Sequence, residues 1–143
     1  MKFILVVLMI IPYGYILPQD ITVTVSAQNK SITASVEDRN DNKLLLIDTS
    51  RLSKKDFLTI TIADKETDKD WKRDFAVYDS AGNALKDFIL MKDETYCIKL
   101  TELIALMQAQ HDYFIYTVAT PKDPKKAMLI RPARKLVCKI RIL

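Results

Sequence analysis

Glycine is nearly absent from this chain: Gly14 and Gly82 are the only two in 143 residues. Phosphate-cradling loops use runs of glycine to bring backbone N–H groups around an anion, so that class of nucleotide site is excluded. Almost every residue must also adopt φ below zero. Histidine is single. To build a zinc site, His111 would need Cys97 and Cys138 to converge on it from distant segments. It would also be the sole imidazole base for a serine or cysteine nucleophile, and no Gly-x-Ser-x-Gly elbow accompanies it. His111 therefore reads as a solvent-facing side chain. Neither a metal, a cofactor nor a catalytic residue is expected.

Long apolar runs are missing except at the start. Residues 3–11 are nine consecutive apolar residues behind Lys2, and Pro12 then interrupts any helix. A membrane-spanning helix needs about 20 apolar residues, so the stretch to Leu17 reads as an export signal. The expected division is a signal peptide over 1–19, cleaved near Gln19 and Asp20, and one domain over 20–143, exported to the periplasm or cell surface. The alternative is an uncleaved leader, which would be the only route to a membrane. Export places the two cysteines in an oxidising compartment, where they can pair. Their strand phases differ, however. Cys97 shares a face with Lys99, opposite Tyr96, Ile98 and Leu100, whereas Cys138 runs with Leu136, Ile140 and Ile142. Two free thiols are favoured over a disulfide.

What the chain has in quantity is alternation of apolar and polar residues. Residues 21–27 place Ile21, Val23 and Val25 on one face with threonines opposite. Residues 32–36 alternate again, making a hairpin around a turn at Gln28, Asn29 and Lys30. Residues 44–47 are a short buried run, with a helical turn at 50–54. Leu58, Ile60 and Ile62 face inward in the next strand, with Phe57 at its entrance. Arg73, Phe75 and Val77 share a phase, in which Trp71 closes one end of the core. A tight turn around Gly82 sends the chain back along 84–90 as one arm. At 101–110 the period becomes helical: Thr101 caps, and Leu103, Leu106 and Met107 share a face. The aromatic and β-branched run 112–120 follows, and residues 134–143 return beside it.

About eight short strands, with a helix near 101–110, specify an all-β fold: a two-sheet antiparallel sandwich. The expected core is Val23, Val25, Leu58, Ile60, Phe75, Val77, Ile98, Leu100, Ile115, Val118 and Ile140. Phe114 and Tyr116 lie out of phase with Ile115 and require cover on the other face of their sheet. The order of the later strands, with a crossing segment before a tyrosine-bearing strand, resembles an immunoglobulin-like domain, and Tyr113 stands where a tyrosine-corner residue would. No cysteine precedes Trp71, so the Cys…Trp…Cys spacing of true immunoglobulin domains is absent. Such an architecture assigns no function by itself.

Two short stretches resemble functional motifs. Residues 46–50, Leu-Ile-Asp-Thr-Ser, are similar to the apolar-apolar-Asp-Thr-Gly signature of aspartic proteases, which bring two carboxylates together to share a proton. Ser50 replaces the glycine, and no glycine follows Gly82 to complete the later element, so Asp48 is assigned to a turn. Residues 38–42, Asp-Arg-Asn-Asp-Asn, match the calcium linker of cadherins, and their oxygen-rich side chains suit calcium. Lys43 departs from that pattern, and Asp and Asn are ordinary turn residues, which is the preferred reading.

The net charge of +4 conceals an asymmetry. Residues 121–143 carry eight bases against one acid, a local charge of +7, while residues 20–120 carry thirteen bases against seventeen acids, or −4. Lys122, Lys125, Lys126, Arg131, Arg134 and Lys135 are therefore candidate binding residues for an anionic partner. The plain alternative is that outward cations guard an edge strand against aggregation. The expectation is a non-enzymatic exported β-sandwich serving as a binding or structural partner in a cell-envelope or surface assembly. Its partner would be an envelope or surface protein or an anionic surface polymer, not nucleic acid. The alternatives are a degenerate aspartic-protease-like or other hydrolase, and a calcium-dependent adhesion module.

Overall fold

The computed structural model describes residues 18, 20–66 and 68–143. The expected signal peptide, apart from Pro18, lies outside them. No helix among the described residues is long and apolar enough to cross a membrane.

Strands β1 (Thr22–Ala27) and β2 (Lys30–Ser35) form the expected hairpin. Its two-residue turn holds Gln28 and Asn29 at φ 51° and 62°. Left-handed backbone in both residues suits the twist of a hairpin, and glycine usually supplies it. Here a side chain compensates. Gln28 Nε2 donates to the Asp48 carbonyl at 2.8 Å, and the Asp48 N–H donates to Gln28 Oε1 at 2.9 Å. Asp48 follows β3 (Leu44–Ile47) and caps a single 3₁₀ turn, Thr49–Arg51. Its Oδ1 accepts from Ser50 N at 2.9 Å and from Ser50 Oγ at 2.6 Å. The turn assigned to this carboxylate from the sequence is thus present.

The remaining strands are β4 (Phe57–Ile62), β5 (Trp71–Tyr78), β6 (Ala84–Asp87), β7 (Ile89–Leu90), β8 (Tyr96–Lys99), β9 (Asp112–Pro121) and β10 (Arg134–Ile142). They assemble into two five-stranded sheets, ordered β2-β1-β4-β8-β7 and β3-β10-β9-β5-β6. Val23, Val25, Leu58, Ile60 and Ile98 of the first sheet join Phe75, Val77, Ile115 and Ile140 of the second in one buried cluster. Each such side chain contributes roughly 1.5–3 kcal/mol by leaving water. The all-β sandwich and its alternating core follow the sequence expectation.

Several details differ. The sandwich is not wholly antiparallel: β3 runs parallel to β10, with Leu45 opposite Ile140. Asn40 explains how the chain reaches that position. Its side chain is buried, and Nδ2 donates to Ser35 O at 2.9 Å and to Leu136 O at 3.1 Å, bolting the 36–43 turn to both sheets. The arm expected over 84–90 is split. Phe88 turns inward, its N–H donating to Phe75 O at 2.9 Å, and the chain passes from β6 in one sheet to β7 in the other.

The expected helix at 101–110 is only α1 (Leu100–Ile104), with Lys99 rather than Thr101 at its N-cap. Leu106 is exposed while Leu103 and Met107 are buried, because the chain leaves helical geometry before Leu106 can join that face. Val118 is not a core residue either. It shares the outward phase of Phe114 and Tyr116, while Thr117 is buried and donates from Oγ1 to Asp74 O. An irregularity in β10 between Leu136 and Cys138 shifts the register. Leu136 therefore lies opposite Tyr116 on the outer face, while Val137 and Cys138 are both buried. Phe57, expected at the strand entrance, is exposed.

Candidate functional site

The structure sorts the six candidate cations into exposed and engaged groups. After β9 ends at Pro121, Asp123 caps a second short helix, α2 (Pro124–Ala127), by accepting from Lys125 N at 3.0 Å. Pro124 fixes φ in the first turn and needs no N–H partner there. Lys125 and Lys126 stand in the last turn, where cations suit the helix dipole. No helical period of apolar residues marks this segment in the sequence. Its signal was the Asp-Pro pair, an N-cap residue followed by proline.

Lys122, Lys125, Lys126 and Arg131 are exposed and form no ion pair with a described carboxylate. Arg134 and Lys135 are engaged. Lys135 Nζ lies 3.4 Å from Glu37 Oε2. The Arg134 guanidinium stacks 4.5 Å from the Tyr78 ring and 4.8 Å from the Tyr116 ring, and Nη1 donates to Gly82 O at 3.4 Å. Those rings meet edge to face at 5.3 Å, and Phe114 lies 6.3 Å from Tyr116 with Lys139 above it. The cover expected over Phe114 and Tyr116 is thus not a further layer of chain; cationic side chains from β10 lie against half-buried rings. Gly82, at φ 86°, makes the turn that Arg134 reaches.

Between these surfaces lies a buried centre that sequence reasoning missed. Arg73 follows Trp71 inward, as their shared strand phase requires, and Arg73 Nε donates to Asp68 Oδ1 and Oδ2 at 2.9 and 3.0 Å. Burial raises the Asp68 carboxyl above its usual range, and the opposing pull of Arg73 does not cancel this. Trp71 and Arg73 border two cavities. One, of about 520 Å³, also meets Lys65, Tyr96 and Lys122; the other, of about 360 Å³, meets Pro18, Ile130, Arg131 and Lys135.

The other candidates are placed elsewhere. His111 is exposed. Asn40, central to the calcium-like run, turns into the protein, and no group of three or more His, Cys, Asp or Glu among the described residues is disposed to hold a metal. Both cysteines are free, with Cys138 buried and its thiol pushed up to about 12. Tyr113 is buried and its hydroxyl accepts from the Gln108 N–H at 2.7 Å. Comparison with protein-family models, curated proteins and solved structures finds no match to this chain.

Proposed function

We propose that this chain is a non-enzymatic, exported, immunoglobulin-like binding domain that engages an anionic partner in a cell-envelope or surface assembly. The contact is made by the end of the sandwich that carries Lys122, Lys125, Lys126 and Arg131. One observation carries this reading: residues 122–131 gather these four exposed cations, none ion-paired to a described carboxylate, around a single acid, Asp123, whose carboxylate is used to cap α2. Unneutralised charge gathered on one ordered segment attracts anions at a distance and strengthens on approach.

The immunoglobulin-like part is supported by strand order. β1-β4-β8-β7 facing β5-β9-β10 corresponds to the A-B-E-D and C-F-G sheets of that architecture, with β6 beside the C strand. Tyr113, near the start of the strand in the F position, bonds to backbone five residues upstream, as a tyrosine corner does. Asp48, occupied as a cap, supports the binding class over an aspartic protease.

Retention on immobilised heparin tests the anionic contact. Retention is expected to fall steeply with salt, since exposed charges are screened over about 8 Å at physiological ionic strength. The double change Lys125→Glu, Lys126→Glu should abolish most of it. Equal retention of that variant and the parent protein would reject this surface.

A further inference from the structure

We infer that the α2 end docks on an anionic lipid bilayer, with Met128 and Leu129 seated in the headgroup–acyl boundary and the surrounding cations on the lipid phosphates. This rests on the reading above and names the chemistry of its partner.

Met128 and Leu129 are 87% and 78% exposed, the most open of the large apolar side chains among the described residues. They are not on a loose segment. The Met128 N–H donates to Pro124 O at 3.2 Å and the Leu129 N–H to Lys126 O at 3.0 Å, so the turn after α2 presents both side chains from a hydrogen-bonded backbone. Lys125, Lys126 and Arg131 flank them in the chain, and Lys122 lies just before the helix. A soluble polyanion matches only the cations. A surface with phosphate outside and hydrocarbon beneath matches both parts of the segment.

Docking here buries the apolar pair without unfolding any strand.

The test is co-sedimentation of the protein with vesicles of phosphatidylcholine alone or mixed with phosphatidylglycerol, alongside heparin retention. Binding should be at least tenfold tighter to the mixed vesicles, and each cation removed should cost about fivefold. The double change Met128→Ser, Leu129→Ser should weaken vesicle binding about tenfold and leave heparin retention unchanged, because it removes only apolar surface. Lys125→Glu, Lys126→Glu should weaken both. Vesicle binding indifferent to the serine changes, or equal on neutral vesicles, would overturn the inference. Heparin retention without vesicle binding would overturn it too and leave the anionic-partner reading standing; loss of both would reject the two together. A serine-sensitive complex with an envelope protein, with vesicles unbound, would assign the apolar pair to a protein socket instead.

Discussion

Between Pro121 and Pro132 the chain carries Lys122, Lys125, Lys126 and Arg131; beyond Pro132 it carries Arg134, Lys135, Lys139 and Arg141. In sequence these form one basic block. In the fold the second group is tied down: Arg134 between two tyrosines, Lys135 beside Glu37, Lys139 above Phe114, and Arg141 with its Nη2 2.7 Å from Asp112. The first group is exposed and forms no ion pair with a described carboxylate. Register accounts for two of the second group, Arg141 opposite Asp112 and Lys139 opposite Phe114, while Arg134 and Lys135 reach past Val118 and Thr117 to their partners. A cation on a four-residue helix followed by a turn has no such neighbour. Local charge excess thus overstates the charge offered to a partner.

The contrast can be broken from its most engaged cation outwards. Asp68→Ala takes from the buried Arg73 the carboxylate that accepts from its Nε at both oxygens and should cost about 3 kcal/mol, read by denaturant unfolding. A loss below 1 kcal/mol would mean that the pair is dispensable. Arg134→Ala removes a cation stacked on two rings and should cost about 1–2 kcal/mol, with Arg134→Lys restoring only part, since an ammonium lacks the planar stack.

Acid should act on Asp112 next. The hydrogen bond from Arg141 holds its carboxyl below the usual range, with the charge of Arg141 adding to this. The native value lies below the unfolded one, so this stability is present at neutral pH and is lost as pH falls through the lowered value. Thermal midpoints measured between about pH 5 and pH 2 should fall more steeply for the parent protein than for Asp112→Asn. Asp68, raised by burial, contributes with the opposite sign and is common to both proteins, so the difference isolates Asp112. The smallest effect belongs to the open group. Lys125→Glu, Lys126→Glu should change stability by less than about 0.5 kcal/mol while removing anion binding, and a larger loss would mean that these lysines hold the fold.

Alternation is a local property, which is why the phases of Val23, Ile60, Phe75 and Ile98 could be read from their neighbours alone. The Gly82 turn was legible from its own turn residues. Three features were not. The parallel pairing of β3 with β10 joins segments 95 residues apart, as Leu44 and Lys139 are. The passage at Phe88 depends on which sheet has room for two more residues. The register shift before Cys138 moved Leu136 to the outer face, and parity had no means of locating it. At the candidate site, the basic residues were visible but their partners were not. Met128 and Leu129 stand among charged residues and match neither a strand nor a helix period, so nothing local marks them.

The bolt at Asn40 and the parallel pair beneath it bear on how the protein responds to pulling. A tension applied between Lys43 and Leu143 would draw the start of β3 one way along its axis and the end of β10 the other. Because the two strands point in the same direction, their hydrogen bonds are sheared together rather than opened one after another. Asn40 adds a side-chain link at the entrance to β3, to carbonyls in both sheets. Forced separation must therefore break this set as a unit, and the rate of that rupture governs how long the domain survives under load. The 36–43 turn, read from the sequence as a turn despite its likeness to a calcium linker, is in the fold pinned through Asn40 to β2 and β10.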